Sequence, residues 1–389
     1  MRNDIFSDIL FYLLQSVKYY IMKILTFHFR KVKTGVLLIR NDNLGDFLIS
    51  LPVFEQIAAL VHSENKTVTT VVSSAMVDFC KKFSFSDHIV SLPSNAFSGF
   101  LRRMKSYRLI TKYSAEKVIL FHALGRSGEH DYMALLPESR ERYALETMNG
   151  WQVPANIGKY RTKFFNGKYT EIVFYDVNGT LLHNEIALAR CAMKKEFVVR
   201  LGNIDCLKPF PSFPGLEFPY FLVAPGSSSA IRQWQPENFA LLTDQILTDH
   251  PGLTPVFIGS KKDIPVIEKV LQLSCNKEKI IDLCGRTSLE ELFSIIENAR
   301  FLITNDTGPY HIAPLVNTKT YCTGGNWHLG AYGPNPLYMR AIFIHAETSC
   351  RRCLENCDKG ESPYFCLKQL TVSMVYNRIR QDLEVGGKQ

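Results

Sequence analysis

The run Asn305-Asp-Thr-Gly-Pro-Tyr-His311 sets a carboxylate, a hydroxyl, an unhindered backbone and an imidazole within seven residues. Four residues of strand character, 301–304, precede it, and an apolar helical pattern follows. Asp306 or Thr307 suits the cap of that helix, and Pro309 suits its first turn, where a missing N–H costs nothing. Gly308 lets another group approach the backbone closely. A strand–turn–helix of this kind aims free N–H groups and the positive end of the helix dipole at whatever lies above the sheet. It is a ready seat for phosphate. With Asp306 and His311 within a turn of it, the expected ligand carries both phosphate and hydroxyl groups.

Three other loops offer matching chemistry. Val223-Ala-Pro-Gly-Ser-Ser-Ser-Ala-Ile-Arg-Gln-Trp234 follows a strand-like run. Gly226 with Ser227, Ser228 and Ser229 supplies N–H and hydroxyl donors, and Arg232 adds a permanent bidentate charge suited to a diphosphate. The same residues also fit a solvated serine loop with Arg232 paired to a surface acid. Gly259-Ser-Lys-Lys-Asp263 ends a further strand within reach of a nucleoside. Near the start, Arg40-Asn-Asp-Asn-Leu-Gly-Asp46 has one glycine, too few for a dinucleotide fingerprint. Asp46 stands at a helix start, where an Asp serves as cap or dipole partner as readily as in catalysis. The sequence holds no G-x-S-x-G, GxxxxGK[ST], HExxH or Asp-x-Asp motif. Without that acidic pair to hold a divalent cation, protein donors would carry a diphosphate's charge unaided.

These loops need a scaffold of alternating strands and helices. Gly35–Arg40 is a near-continuous apolar run, as in a strand buried on both faces. A helix is expected over 47–61, and strands over 67–73 and 117–121, with weaker strand candidates at 171–176 and 197–200. The Pro-rich stretch 207–215 interrupts the pattern and reads as a domain boundary. The alternation then restarts: strands at 220–224, 254–258, 280–283 and 301–304, helices at 236–248, 264–273 and 289–299. A last helix runs from 371 to about 383. The expected fold class is α/β, with parallel sheets built by right-handed crossovers. The expected division is an amphipathic helix over 1–31, a first domain over 32–206, a linker over 207–217, a second domain over 218–367, and a final helix and tail over 368–389. Two such halves put a cleft between the carboxyl ends of two sheets, where ligands of these folds bind.

With 389 residues, 46% of them hydrophobic, the chain can bury sizeable cores, and its net charge of +8 suits anionic phosphates or an anionic lipid surface. No nucleic-acid motif accompanies that charge. Residues 1–30 lack the short apolar core and small-residue cleavage site of a secretory signal. On a helical wheel Phe6, Ile9, Leu10, Leu13, Leu14, Val17, Tyr20, Ile21 and Ile24 share one face, with Lys18 and Lys23 opposite. Two readings stay open: a helix packed on the protein's own surface, or an interfacial helix at an anionic membrane. Six of the ten cysteines are dispersed and read as reduced apolar fillers. Cys350, Cys353, Cys357 and Cys366 lie close together and read as loop thiols or as zinc ligands of unusual spacing.

In order along the chain, several motifs resemble glycosyltransferase family 9, the heptosyltransferase-like enzymes of lipopolysaccharide synthesis. They are Arg40-x-x-x-Leu-Gly-Asp-x-Leu-x-Ser-Leu-Pro-Val53, Pro225-Gly226 through Arg232-Gln-Trp-Gln-Pro-Glu-Asn-Phe239, Gly285-Arg-Thr-Ser-Leu-Glu-Glu-Leu292 and Asn305-Asp-Thr-Gly-Pro-x-His311. The resemblance implies a GT-B fold, two Rossmann-like domains with the C-terminal helix crossing back. It also implies an inverting, metal-independent transfer from a nucleotide-diphosphate sugar, ADP-heptose in the best-known members, to a lipid-linked or lipopolysaccharide acceptor at the cytoplasmic side, with no resident cofactor. Carried over position by position, Asp46 is the base. Ser227, Ser228 and Arg232 meet phosphate, Asp263 lies near the ribose, and Thr287 near the nucleoside. Asp306, Thr307 and Gly308 meet sugar and diphosphate, with His311 beside them. Two features depart from the family pattern: Arg232 stands where many members carry Lys, and the stretch 323–334 differs from the heptosyltransferase form.

Overall fold

Buried, β-rich runs pair in parallel where helices can cover both faces of a sheet. The computed structural model describes residues 2–93, 95–122, 128–146, 164–176, 178–198, 200–211, 213–228, 232–326, 329–330, 332–349 and 365–386. The chain divides into two units, Met1–Arg200 and Leu201–Gln389. The first carries strands β1 (Val32–Ile39), β2 (Val68–Ser73), β3 (His88–Leu92), β4 (Tyr113–Leu120), β5 (Glu138–Leu145) and β6 (Glu171–Val173) in the order β3-β2-β1-β4-β5-β6. Its helices are α1 (Arg2–Leu25), α2 (Leu44–Ser63), α3 (Val77–Cys80), α4 (Phe100–Thr111), α5 (Gly128–Leu135) and α6 (Leu181–Met193).

The second unit repeats the plan. Strands β7 (Tyr220–Ala224), β8 (Thr254–Phe257), β9 (Ile281–Asp282), β10 (Leu302–Asn305), β11 (Thr320–Thr323) and β12 (Ala341–Ile344) lie in the order β12-β11-β10-β7-β8-β9. Its helices are α7 (Pro236–Asp249), α8 (Ile264–Leu273), α9 (Leu289–Glu297), α10 (Gly308–Ile312), α11 (Phe365–Lys368) and α12 (Val372–Gly386). Counted within each unit, both sheets have the doubly wound order 3-2-1-4-5-6, so each unit is Rossmann-like and the fold class is α/β, as expected. The strand order reverses between β1 and β4 in one unit, and between β7 and β10 in the other. Those two places are where such sheets hold ligands.

Local signals explain the elements that frame these places. Pro236 starts α7, and Ser288 with Glu291 forms a reciprocal capping box on α9. Helix α2 is apolar and long enough to cross a membrane, yet it is a core helix, with Phe47, Leu51, Phe54 and Ile57 buried. Leu37 and Ile39 of β1 pack in one core with Tyr107 of α4 and Tyr132 of α5. Val36 and Leu38, alternate along the strand, are buried on its other face. The final helix α12 sets Val375, Tyr376, Ile379 and Leu383 into the second unit's core.

One expectation is corrected. The strand expected at 197–200 is absent among its described residues; the Phe197 carbonyl instead accepts from Arg190 Nη2 at 3.2 Å. The helix expected after Gly308 is present and has five residues. Of the two readings of α1, packing of its apolar side on the protein is the one that fails: Tyr19 and Met22 point inward, while Leu13, Leu14, Val17, Tyr20, Ile21 and Ile24 are exposed.

Candidate functional site

In the second unit, the site is built around Asn305 at the end of β10. Its side chain is fully buried, and its Nδ2 donates to Pro225 O at 2.8 Å and to Gly226 O at 3.2 Å. Its Oδ1 accepts from Trp234 N at 3.1 Å and from Thr323 Oγ1 at 3.0 Å. One amide thus ties the loop after β7 to those after β10 and β11, at the switch point. Trp234 is itself fully buried, with Nε1 donating to Leu370 O at 2.8 Å, so it anchors the loop and does not meet ligand. Ahead of it, Arg232 is half-buried and donates from Nη2 to Ser228 Oγ at 2.9 Å. Ser227 is half-buried and Ser228 exposed. Arg232 and the serine hydroxyls therefore share one loop, anchored at both ends.

The neighbouring loops close in on this one. Asp263 Oδ2 accepts from Ser260 N at 2.8 Å and from Ser260 Oγ at 2.7 Å, a capping box that spends one carboxylate oxygen locally. Its other oxygen lies against Gly226, where any Cβ would overlap the carboxyl group. Gly226 is thus required for that close approach. Gly285 has φ +68° and donates its N–H to Gly259 O at 2.8 Å, which draws the loop carrying half-buried Thr287 beside Asp263. Thr307 holds the N-cap of α10 in extended conformation, and its hydroxyl does not cap the helix. That hydroxyl lies 3.3 Å from Thr304 Oγ1.

His311 differs most from expectation. It is 3% exposed, and its Nδ1 lies 3.0 Å from Tyr338 OH. Burial pushes its pKa down to about 3, so the ring is neutral at ordinary pH. A neutral imidazole packed edge-on to Tyr310, Tyr332 and Tyr338 cannot supply phosphate-binding charge. Its Nε2 stands 3.8 Å from Asp306 Oδ1, a distance at which it buttresses the carboxylate without a direct hydrogen bond.

The first unit places its polar side chains at the equivalent switch point. Arg40, at the end of β1 and 3% exposed, donates from Nη1 to Phe121 O at 2.6 Å, across to the end of β4. Its Nη2 donates to Asp46 O at 3.1 Å, stands 3.8 Å from Asp46 Oδ1, and pairs with Glu185 Oε1 of α6 at 3.1 Å. Ser50 Oγ donates to the same Glu185 oxygen at 3.0 Å and to Asp46 O at 3.1 Å. Asp46 itself lies in the first turn of α2, with a partly exposed carboxylate (21%). Burial pushes Glu185 up to about 7, nearby Asp46 and Asp42 adding to the effect while Arg40 and Ser50 oppose it.

Asp42 lies 2.7 Å from His122 Nδ1 and 3.4 Å from Arg40 Nε. Burial works against its charge, but the His122 imidazole and the Arg40 guanidinium outweigh it and hold the carboxyl well below the usual carboxylate range. His122 stacks on His130 with ring centres 3.6 Å apart. Asp42, His122 and His130 have donor atoms close enough to surround one cation.

Of these residues only Asp46 was an expected site residue. Arg40 opens a recognised motif, and Glu185 interrupts an apolar helical face, which was the available signal for a buried charge. His122 and His130 carried no signal, because only strand order brings them to Asp42. Of the four clustered thiols, Cys350, Cys353 and Cys357 lie outside the described residues. Cys366 is buried and accepts from Asn326 N at 3.3 Å. Among the dispersed cysteines, Cys80, Cys284 and Cys322 are buried fillers as expected, whereas Cys206 and Cys275 are exposed.

Residues 178–361 match the model of glycosyltransferase family 9 (heptosyltransferase). The chain is 32% identical over 140 residues to lipooligosaccharide heptosyltransferase 2 of Haemophilus influenzae, covering 34% of this chain and 38% of that protein. It is 24% identical over 191 residues to lipooligosaccharide heptosyltransferase 2 of Campylobacter jejuni, covering 49% and 57%. The matched stretch is thus less than two thirds of either relative. Among solved structures, E. coli ADP-heptose lps heptosyltransferase II superposes with a TM-score of 0.64 at 17% identity, covering 89% of this chain and 98% of that one. E. coli heptosyltransferase WaaC with ADP-2-deoxy-2-fluoro heptose gives 0.60 at 14% identity, covering 90% and 100%. At such identities the structures establish a shared fold.

Proposed function

From the match of residues 178–361 to the model of glycosyltransferase family 9, we propose that the chain is a member of that family and an inverting glycosyltransferase. Its donor is a nucleotide-diphosphate sugar, ADP-heptose before others, and the group moved is heptose or a related sugar. Its acceptor is a lipopolysaccharide or another cell-surface glycan, met at the cytoplasmic side. Relatives named as lipooligosaccharide heptosyltransferases, and a fold neighbour holding an ADP-heptose analogue, support the donor and acceptor classes.

The observation that carries the reading is the Asn305 staple. It joins the Arg232 loop to the Asp306–Gly308 turn at the switch point of the domain that matches the family. In this reading Arg232, Ser227 and Ser228 hold the diphosphate together with the N–H groups at Gly308. Thr287 and Asp263 meet the nucleoside, and Asp306 meets the sugar. Asp46 takes the proton from the acceptor hydroxyl as that oxygen bonds to the anomeric carbon. The bond to the diphosphate breaks on the opposite face, and its electron pair leaves with the phosphate oxygen. Such a base contributes roughly 10²–10⁴-fold. Each donor aimed at the departing oxygen contributes on the order of 3–4 kcal/mol. Arg40 orients Asp46 by holding its carbonyl and lying beside its carboxylate. Arg232 supplies the diphosphate's counter-charge without a divalent cation.

Thermal stabilisation by ADP, GDP, UDP and ADP-heptose in the presence of a chelator tests the donor. A shift with ADP and a larger one with ADP-heptose is expected. A preference for GDP or UDP would discard heptose, and no response to any of the four would discard transfer.

A further inference from the structure

Two segments of the sequence, 9–39 and 88–115, contain ten Lys and Arg residues and no Asp or Glu, in a chain whose net charge is +8. The fold joins them. Thr111 Oγ1, at the end of α4, donates to Thr26 O just after α1 at 2.8 Å, and His28 Nε2 lies 2.9 Å from Arg108 O. Helix α1 is fastened by Tyr19, whose hydroxyl donates to Leu135 O at 3.1 Å, and by buried Met22. Its other side points to solvent: Leu13, Leu14, Val17 and Ile21 are exposed, Ile24 is 75% exposed, and Phe29 beyond the helix is 97% exposed. Helix α4 also exposes apolar side chains, Leu101 (81% exposed) and Leu109. Exposed Arg102, Lys105, Arg108 and Lys112 stand among them.

Exposed large apolar side chains gathered on two joined helices mark an interaction site, and the charges choose the partner. A second copy would bring the same positive field and repel. A cavity of about 820 Å³ beside the end of α1, lined by Lys23, Lys33, Lys66, Arg140 and Arg142 with two glutamates, extends the same sign. Apolar side chains flanked by long basic ones match the boundary of a bilayer, where chains enter the acyl edge and cations reach the phosphates. We infer that α1 and α4 together form one face that seats the protein on an anionic phospholipid surface. This face requires neither donor nor acceptor, so its failure would leave the transfer reaction standing.

Flotation of the full-length protein with phosphatidylcholine vesicles, with and without phosphatidylglycerol, tests the face. Binding is expected only with phosphatidylglycerol and should weaken with salt. The pair Ile21→Glu/Ile24→Glu should lower it roughly tenfold or more, and Leu101→Glu alone a few-fold. All these side chains are exposed, so melting temperatures should hold. Equal binding to neutral vesicles, or no effect of either substitution, would overturn the inference. A dimer in sedimentation velocity that Ile21→Glu/Ile24→Glu dissolves would overturn it in favour of self-association.

Discussion

Replacing Glu185 with glutamine isolates the buried charge that holds Arg40 behind Asp46. Glu185 is fully buried, and burial raises its pKa from 4.5 to about 7 even with Arg40 Nη2 at 3.1 Å. Between those two values the folded chain holds a proton that the unfolded chain has released, so stability falls as pH rises through that window. At about 1.4 kcal/mol per unit, the group's contribution drops by roughly 2.5 kcal/mol between about pH 5 and pH 8. A glutamine side chain does not titrate, and its amide oxygen can still accept from Ser50 and Arg40. Urea unfolding of the parent and Glu185→Gln across that range gives the test, because other titrating groups cancel in the difference. The variant should gain on the parent as pH rises and level off above about pH 7. Parallel curves would refute the assignment and mean that the Arg40 pair keeps Glu185 ionised throughout.

Asp46→Asn should cut turnover by roughly 10²–10⁴-fold while donor affinity stays within a few-fold, measured by ADP release and calorimetry. Asn305→Ala leaves the buried Trp234 N–H, Thr323 hydroxyl and Pro225 carbonyl without their shared partner. It should cost about 3 kcal/mol in urea unfolding and weaken nucleotide binding with it. Gly226→Ala drives a methyl into the Asp263 carboxyl, so nucleotide affinity should fall and urea unfolding should show a loss of about 1–3 kcal/mol.

Much of the scaffold was legible because its signals are local. Gly35–Arg40 is apolar throughout, as a strand covered on both faces must be, and Pro236 and Ser288 announce the helices they start. The strand–turn–helix at 301–311 was legible, although the sequence left the cap open between Asp306 and Thr307 and the Thr307 hydroxyl does not cap the helix. What escaped depends on contacts distant in sequence. The first half of β5, Glu138–Arg142, is largely polar at the sheet's margin and offers no apolar run to read. Arg40 reaches Phe121 and Glu185 only because β4 and α6 come to lie beside β1. His311 was expected to meet ligand from its closeness to Asp306, but its burial is set by Tyr310, Tyr332 and Tyr338, two of them more than twenty residues away. A helical wheel identified the apolar side of α1, but not that Tyr19 and Met22 would be the side packed inward.

The most direct test of glycosyl transfer is ADP release from ADP-heptose on adding a heptose-deficient lipopolysaccharide acceptor, with a chelator present. Release should require the acceptor, tolerate the chelator and collapse in Asp46→Asn. Release that ignores the acceptor, or that Asp46→Asn leaves intact, would contradict transfer by this site.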